Sequence, residues 1–414
     1  MGGFLTLVEP VVIINTVGTS FYDTAFMLAV YNRTLEQAGG QSDRAQALSS
    51  HFLLLHSCLA SLLSLVSTVL LGRLADRRGP RLLLVVPQVG AVLRKCFLLA
   101  FVVFRLPLAV LYAGAVVHGL SGGSREERRS LKLNVVDFCS GVAGVVGGLL
   151  SGFVYHWGQS GVALVVMSMA LCVGGLLYSA LLLSSPAPSG REGAGGPALS
   201  QGPVWLDRRG VALHFAAMAL FVLGMSGAEN VMTLYVLKPP LSWSSVWVGY
   251  GRAATSAMYL TSFLGVLVLS RPLGDTALVL LGIVSNCTGM AIMAFATRDW
   301  VYFFARGIMM FACIPMPTLR AQLSKILDAQ LYGRVFGWLQ STLAVTEVLS
   351  TVLFTSIYPL TLGWFSGLSF LLSCAISYLS VLPILYLNCR GTRQGYLPIA
   401  GTDQAQHTIN NADP

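Results

Sequence analysis

Gly72-Arg73-Leu74-Ala75-Asp76-Arg77-Arg78-Gly79-Pro80-Arg81 separates two long apolar runs, residues 51–71 and 82–104. Each run is long enough to cross a bilayer, whose hydrocarbon core of about 30 Å takes about 20 apolar residues in a helix. A short charged stretch between two such runs predicts a helical hairpin closed by a tight polar turn. Gly72 and Gly79 permit the turn and a close approach of the two helices. Asp76 can accept hydrogen bonds from backbone N–H groups at a helix start, or from an arginine. Arg73, Arg77, Arg78 and Arg81 place the turn on the cytoplasmic side.

The rest of the chain has the same character. Of its 414 residues, 55% are hydrophobic and 10% charged, against about 25% charged in soluble domains. The protein is therefore expected to be an integral membrane protein. The net charge of +9 is dispersed over short loops between apolar runs, which excludes a nucleic-acid partner and implies a lipid one. The cysteines lie in or beside apolar segments (Cys58, Cys96, Cys139, Cys172, Cys287, Cys313, Cys374, Cys389), and none has metal-ligand spacing. No nucleotide-binding loop, metal cluster or catalytic dyad is present. An enzyme is not expected, nor a cofactor or metal, and any work must draw on an ion gradient or a solute gradient. Residues 4–31 form one apolar segment without an A-x-A site, so they read as a first span rather than a leader.

Twelve spans are expected, near 4–31, 51–72, 82–104, 107–123, 131–155, 161–184, 210–237, 247–270, 275–296, 300–323, 334–358 and 363–388. A polar segment rich in Pro, Gly and Ser divides them. The expected organisation is an N-terminal six-helix half (1–184), a cytoplasmic linker (185–208), a C-terminal six-helix half (209–388) and a cytoplasmic tail (389–414). Seventeen Lys and Arg residues fall in the linker, the tail and the even-to-odd loops, among them the Arg73 cluster, Arg125, Arg128, Arg129, Lys132, Arg320 and Lys325. Only five fall on the other side: Arg33, Arg44, Arg105, Lys238 and Arg298. Both termini are expected in the cytoplasm. Asn32-Arg33-Thr34 is then a glycosylation sequon in the first outer loop, close to the membrane. The fourth span is anomalous. The apolar run from Leu108 to Gly123 meets Arg125-Glu126-Glu127-Arg128-Arg129 after 16 residues, about 24 Å at helical rise. Either this helix is tilted and the bilayer thinned around it, or the chain lacks a piece that its relatives have.

The opening stretch, written G-x-L-A-D-R-x-G-x-R, resembles the loop between the second and third helices of major facilitator superfamily transporters. Pro80 and a lone Arg81 stand where that superfamily usually has two basic residues. Further stretches resemble the proton-coupled folate transporter family, solute carrier family 46. They are Val8-Glu9-Pro10, Pro240-Leu241-Ser242-Trp243, Val248-Gly249-Tyr250-Gly251, Leu260-Thr261-Ser262-Phe263-Leu264-Gly265 and Leu319-Arg320-Ala321-Gln322-Leu323-Ser324-Lys325. Tyr22-Asp23 and Ser270-Arg271 look most like its thymic stromal cotransporter branch. The resemblance implies a major facilitator fold of two six-helix halves with a gating role for Gly72, Asp76, Arg77, Gly79 and Arg81. It implies that the relatives have about sixteen more residues around the end of the fourth helix. It also implies that Asp137 matches a glutamate tied to proton coupling in the folate branch. A histidine of that branch is replaced by Met225, and one cysteine of its outer disulfide by Ser242.

Charges within spans cost at least about 2.5 kcal/mol each at mid-membrane on insertion scales, so each is a functional candidate. Asp137 in the fifth span precedes Gly141, Gly144, Gly148 and Gly152, at offsets that share one helical face. Its alternative role is to pair with Lys132 or the loop arginines. Glu9, Thr16, Thr19 and Asp23 form a polar stripe on the first span, and Glu229 and Glu347 add carboxylates in the seventh and eleventh. Proton coupling is expected of Asp137 and Glu229. Arg306 and Arg320 lie fourteen apart on the tenth span, hence on one face, with Pro315 and Pro317 bending the helix between them. Arg306 is expected to bind an anionic substrate with both arms of its guanidinium, or to pair with Glu229 or Glu347. Arg320 is expected at a cytoplasmic gate. Arg94 and Lys95 are adjacent on the third span, about 100° apart, so at most one faces a central pore. Lys95, Asp23 and Arg252 complete the expected substrate site. His118 is a weaker relay candidate, and His51, His56 and His214 are assigned nothing.

The whole reads as a secondary active transporter of a small anionic organic solute, folate-like or muropeptide-like, coupled to protons by alternating access. It would reside in the plasma or endolysosomal membrane. The alternative is a transport-inactive membrane protein of the same fold with an interaction or signalling role, motivated by the short fourth helix and the replaced histidine.

Overall fold

The structure, a computed structural model, describes residues 9–78, 81–121, 133–158, 161–181, 208–270, 272–327 and 329–394. Among them all regular structure is helical: α1 (Glu9–Gln37), α2 (Ser42–Arg78), α3 (Arg81–Phe104), α4 (Ala109–Leu120), α5 (Leu133–Gly158), α6 (Gly161–Leu181), α7 (Arg208–Leu237), α8 (Ser245–Leu269), α9 (Asp275–Met293), α10 (Asp299–Ile308), a 3₁₀ turn (Met309–Phe311), α11 (Pro315–Lys325), α12 (Ala329–Thr361), α13 (Leu368–Leu379) and α14 (Val381–Gln394). Eleven stretches are long and apolar enough to cross a membrane, with α10–α11 and α13–α14 counting as one each. The twelfth, α4, is apolar but has only 12 residues, about 18 Å. The expected deficit in the fourth span is thus present. The charged block that follows it lies outside the described residues.

The breaks fall where proline forbids a continuous ladder. Pro315 and Pro317 lack the N–H groups that would reach the carbonyls of Phe311 and Cys313, and their rings crowd those carbonyls. Accordingly the helix loosens over Met309–Ile314. Neighbouring helices take up the freed backbone groups: Thr261 and Ser262 each donate to the Met310 carbonyl at 2.9 Å. The Ser262 hydroxyl also accepts from the Cys313 N–H at 3.1 Å, and Ser285 donates to the Ile308 carbonyl at 2.6 Å. No water is available for this in a bilayer, so such side chains are what make a break tolerable there. Pro383 acts likewise on the carbonyl of Leu379, which is where α13 ends.

The opening stretch needs a correction. Gly72 to Arg78 is not a turn; it is the last two turns of α2. Leu74-Ala75-Asp76-Arg77-Arg78 holds no helix breaker, and a single glycine costs a helix only about 1 kcal/mol. The described part of α2 ends at Arg78, just before Gly79-Pro80 in the sequence, and a proline disfavours helical backbone in the residue before it. Gly79 and Pro80 lie outside the described residues, as do the side chains of Asp76, Arg77 and Arg81. The first and second spans also overrun their apolar cores, α1 to Gln37 and α2 from Ser42.

Helices α1–α6 pack on one another, as do α7–α14, and the two sets meet through α5 on α8 and α2 on α12. The α5–α8 contact is built on absent side chains. A methyl on Gly148 would stand 2.7 Å from the Ala253 nitrogen, and one on Gly249 would stand 2.8 Å from the Gly148 carbonyl. Close backbone approach through small residues is how helices associate without a hydrophobic driving force. The glycine face below Asp137 is therefore filled by α8 rather than left open as a groove.

Polar contacts between the sets gather toward the end that bears the α1–α2 and α7–α8 connections. Gln46 donates to the Leu234 carbonyl at 2.7 Å and accepts from the Tyr358 hydroxyl at 2.9 Å. Lys238 pairs with Asp43 at 2.8 Å, and Tyr31 lies 3.5 Å from the Leu237 carbonyl.

Candidate functional site

Among the described residues Arg94, Lys95, Arg252 and Arg306 lie in the interior of the spans, and the two helical sets use them differently. In the second set Arg306, on α10, is 3% exposed. Its guanidinium meets both oxygens of Glu229 on α7, Nη1 to Oε1 at 2.6 Å and Nη2 to Oε2 at 3.3 Å. Its Nε donates to the Tyr302 hydroxyl at 3.2 Å, and the Met258 sulfur lies 3.3 Å from Nη1. Tyr302 is itself held edge-on by Trp243, at 4.5 Å between ring centroids, whose indole N–H donates to Asp299 at 2.6 Å. The two carboxylates left open as partners for Arg306 are thereby resolved: Glu229 is the partner, and Glu347 has other contacts. The Glu229 side chain keeps 26% of its surface accessible while Arg306 keeps 2%, so the carboxylate is the exposed member of the pair.

At the meeting of the two sets, Asp23 on α1 accepts from Arg252 on α8 at 2.7 Å. Both side chains are about one-third exposed, 36% and 29%. Thr19, one turn before Asp23, is exposed while Gly18, Ser20 and Thr24 are buried. The polar stripe of the first span thus faces the space between the sets, as its spacing predicts. The Glu9 side chain lies outside the described residues.

In the first set the arrangement departs from expectation. Lys95 is 2% exposed and donates to the Ser168 carbonyl of α6 at 3.3 Å, inside the packing of α1, α3 and α6. Its neighbour Arg94 is the half-buried one, and its guanidinium carbon sits 4.2 Å from the centroid of the Tyr22 ring. Of the adjacent pair, Arg94 packs on Tyr22 of α1, whereas Lys95 turns to α6. Sequence adjacency requires that the two diverge but leaves the choice open.

Other expected residues are not brought together. Arg320 on α11 is half-buried and has contacts of its own. The 3₁₀ turn between α10 and α11 removes the shared face that fourteen-residue spacing implies in an unbroken helix. The Asp137 backbone is in the first turns of α5, and its side chain is outside the described residues. Asn32 is helical rather than in a loop. Its amide lies 3.3 Å from the Tyr155 hydroxyl, and the sequon hydroxyl of Thr34 is buried, 2.6 Å from that of Ser49. Residues that sequence reasoning passed over include Tyr302, Trp243, Gln46 and Tyr358. Gln46 and Tyr358 are fully buried polar groups in apolar surroundings, and such groups signal a required partner.

Two sets of membrane-crossing helices that meet face to face, with ion pairs within and between them, have the architecture of a secondary transporter. The chain matches the Major Facilitator Superfamily over residues 11–351 and belongs to it. The chain is 32% identical to solute carrier family 46 member 2 of Canis lupus familiaris, over 92% of each protein. It is a member of solute carrier family 46. That alignment runs over 444 positions, more than the 414 residues of this chain, so the relative carries stretches that this chain lacks. The lysosomal proton-coupled steroid conjugate and bile acid symporter of Gallus gallus is 28% identical, covering 79% of this chain and 77% of its own. The proton-coupled folate transporter of Rattus norvegicus is 28% identical, covering 86% and 84%. Among solved structures, the POT family transporter PepTSo aligns with a TM-score of 0.68 at 10% identity, covering 93% of this chain and 98% of that one.

Proposed function

We propose that this multi-pass transporter moves a small anionic organic solute together with protons, and that Glu229 and Arg306 link the two. The observation that carries the reading is their two-pronged ion pair, 2.6 Å at its shorter contact, with the carboxylate side left accessible. While Glu229 is charged it occupies the arginine fork. A proton on Glu229 removes the attraction and frees the guanidinium for the anionic group of the solute. Release of that proton then restores the internal pair and expels the anion. Proton and anion thus enter and leave together, which is the requirement of symport. The names of two relatives support proton coupling, and steroid conjugates, bile acids and folate suit an arginine-bearing interior. A muropeptide-like solute suits it on the same grounds. Asp137 is the second proton candidate, and Asp23 and Arg252 complete the proposed substrate region, whereas Lys95 is enclosed by the packing of α1, α3 and α6. Gly72, Asp76, Arg77, Gly79, Arg81 and Arg320 form the proposed cytoplasmic gate.

The charge bias of the loops supports cytoplasmic termini. The polar contacts through Gln46, Tyr358, Asp43 and Lys238 then lie at the outer end, and the conformation reads as closed outside. The membrane is proposed to be the plasma or the endolysosomal one. The 12-residue α4 favours one second reading, a transport-inactive protein of the same fold.

Uptake into proteoliposomes decides between them. A solute gradient with and without an inward proton gradient is applied to labelled oestrone sulfate, folate and a muramyl dipeptide. Acid-stimulated uptake of at least one, lost in Arg306→Ala, is expected. No uptake of any under either gradient overturns the transport reading.

A further inference from the structure

The first helical set holds a second group of polar side chains that neither the ion pairs above nor the packing accounts for. His56 on α2 and His118 on α4 are each 8% exposed. The Nε2 of His56, the Nδ1 of His118 and the Nε of Arg94 are buried without a hydrogen-bond partner. A buried polar atom left unmade costs about 1–3 kcal/mol, so three in one region call for an occupant. They belong to one neighbourhood. Arg94 lies close enough to act electrostatically on both imidazoles, and His56 on His118. Arg94 rests on Tyr22, which stacks on Phe26 at 5.7 Å, and Phe26 lies 4.9 Å from the His56 ring. Phe52 bridges His56 and Tyr112 at 5.8 and 4.9 Å.

The charge balance decides what kind of occupant fits. Among the described residues no carboxylate lies within ion-pair distance of Arg94, and Asp23 is engaged by Arg252. Lys95 adds a second cation on the next residue, with a backbone carbonyl for its hydrogen bond. Water would satisfy the three nitrogens but supply no countercharge, and among the described residues no carboxylate pairs with Arg94 in this membrane interior. An anion does both. Each imidazole in its neutral form can present its N–H at the unpartnered atom, and the guanidinium supplies the countercharge. Tyr22, Phe26 and Phe52 around it are buried and pack on one another, with Tyr112 against Phe52.

We propose that Arg94, His56 and His118 form the subsite for the anionic head, a sulfate or carboxylate, of an organic anion. This rests on the reading of the protein as an organic anion transporter and deepens it. Arg306 is the fork whose availability is set by the proton, whereas Arg94 has no competing carboxylate among the described residues.

The test is equilibrium binding to the purified full chain in lipid nanodiscs. The probe is tritiated oestrone sulfate, with uncharged oestrone and inorganic sulfate as competitors. Wild type should bind the probe saturably, sulfate should compete, and oestrone should compete far less. Arg94→Gln should weaken binding by about tenfold or more and abolish competition by sulfate, and Arg94→Lys by about threefold, since charge is kept and the fork lost. His56→Phe keeps the ring contacts with Phe26 and Phe52 and removes only the nitrogens. It should weaken binding about fivefold while its melting temperature stays at the wild-type value, which keeps the proposal testable should Arg94→Gln not fold. Wild-type-like affinity in Arg94→Gln or in His56→Phe overturns the subsite and leaves the transport reading standing. Absence of saturable binding by wild type, for this probe and for folate alike, overturns the transport reading and the subsite with it.

Discussion

Gln46 of α2 and Tyr358 of α12 bond side chain to side chain at 2.9 Å, although they are 312 residues apart, and both are buried. The same glutamine amide holds the Leu234 carbonyl at 2.7 Å. One side chain therefore ties three helices and both helical sets together. Gln46→Ala should leave the Tyr358 hydroxyl and the Leu234 carbonyl unpaired in the closed form, at a cost of about 1–3 kcal/mol. The closed population falls accordingly. In a background with the accessible native cysteines replaced, Thr19→Cys should react several-fold faster with an impermeant thiol reagent from outside when Gln46→Ala is added. Unchanged labelling would show that this tie does not hold the outer end shut.

Arg306 and Glu229 make a pair whose members are expected to fail differently. Arg306→Lys keeps charge but cannot span both carboxylate oxygens, and it should raise the apparent Michaelis constant several-fold. Arg306→Ala should nearly abolish uptake. Glu229→Gln mimics the protonated acid and should take up solute without further stimulation by acid. Near-normal uptake by both arginine variants, or full acid stimulation in Glu229→Gln, contradicts the coupling through this pair.

Asp137 offers an independent test of the proton site. Asp137→Asn should lose acid-stimulated net uptake and retain solute exchange, because exchange needs no proton release, whereas Asp137→Glu should retain coupling. The comparison is made at equal surface expression. If Asp137→Asn keeps full stimulation by acid, Glu229 alone remains as the coupling carboxylate.

The α5–α8 seam predicts a contrast between two glycines. Gly148→Val places carbon 2.7 Å from the backbone of Ala253, whereas Gly174 has nothing within 4 Å of an added methyl. Overpacking of this kind costs about 1–3 kcal/mol, and backbone cannot move aside as a side chain can. Gly148→Val should lower the melting temperature and transport together, and Gly174→Ala should change neither. Equal behaviour of the two variants would mean that the seam tolerates separation.

The number of spans, the short fourth helix and the proline breaks were legible because each depends on a local property: an apolar run, a charged stop, a missing N–H. The ends of α1 and α2 were not. Asn32–Gln37 and Ser42–Ser50 are polar enough to end an apolar count, yet nothing in them ends a helix. Which carboxylate meets Arg306 depends on how α7, α10 and α12 rotate against each other, and three helical periodicities do not fix that phase. The same gap hid Arg94. Its divergence from Lys95 follows from the 100° step, but the direction is set by α6 presenting the Ser168 carbonyl to the lysine. His56 was passed over because its neighbours in sequence are apolar. Its four-residue spacing from Phe52, on the face that meets Phe26, was the available signal.

The interruption between α10 and α11 has a mechanical consequence. Its loose backbone is anchored on both sides, by Thr261 and Ser262 from α8 and by Ser285 from α9. A joint fixed in position but not in angle is a hinge. The segment beyond it, with Arg320, can swing with the far end of the molecule while Arg306, one turn before it, stays clasped to Glu229. Span 10 then works as a lever with its fulcrum at Met309–Ile314, so the charge pair can keep its distance while the opening it serves changes width.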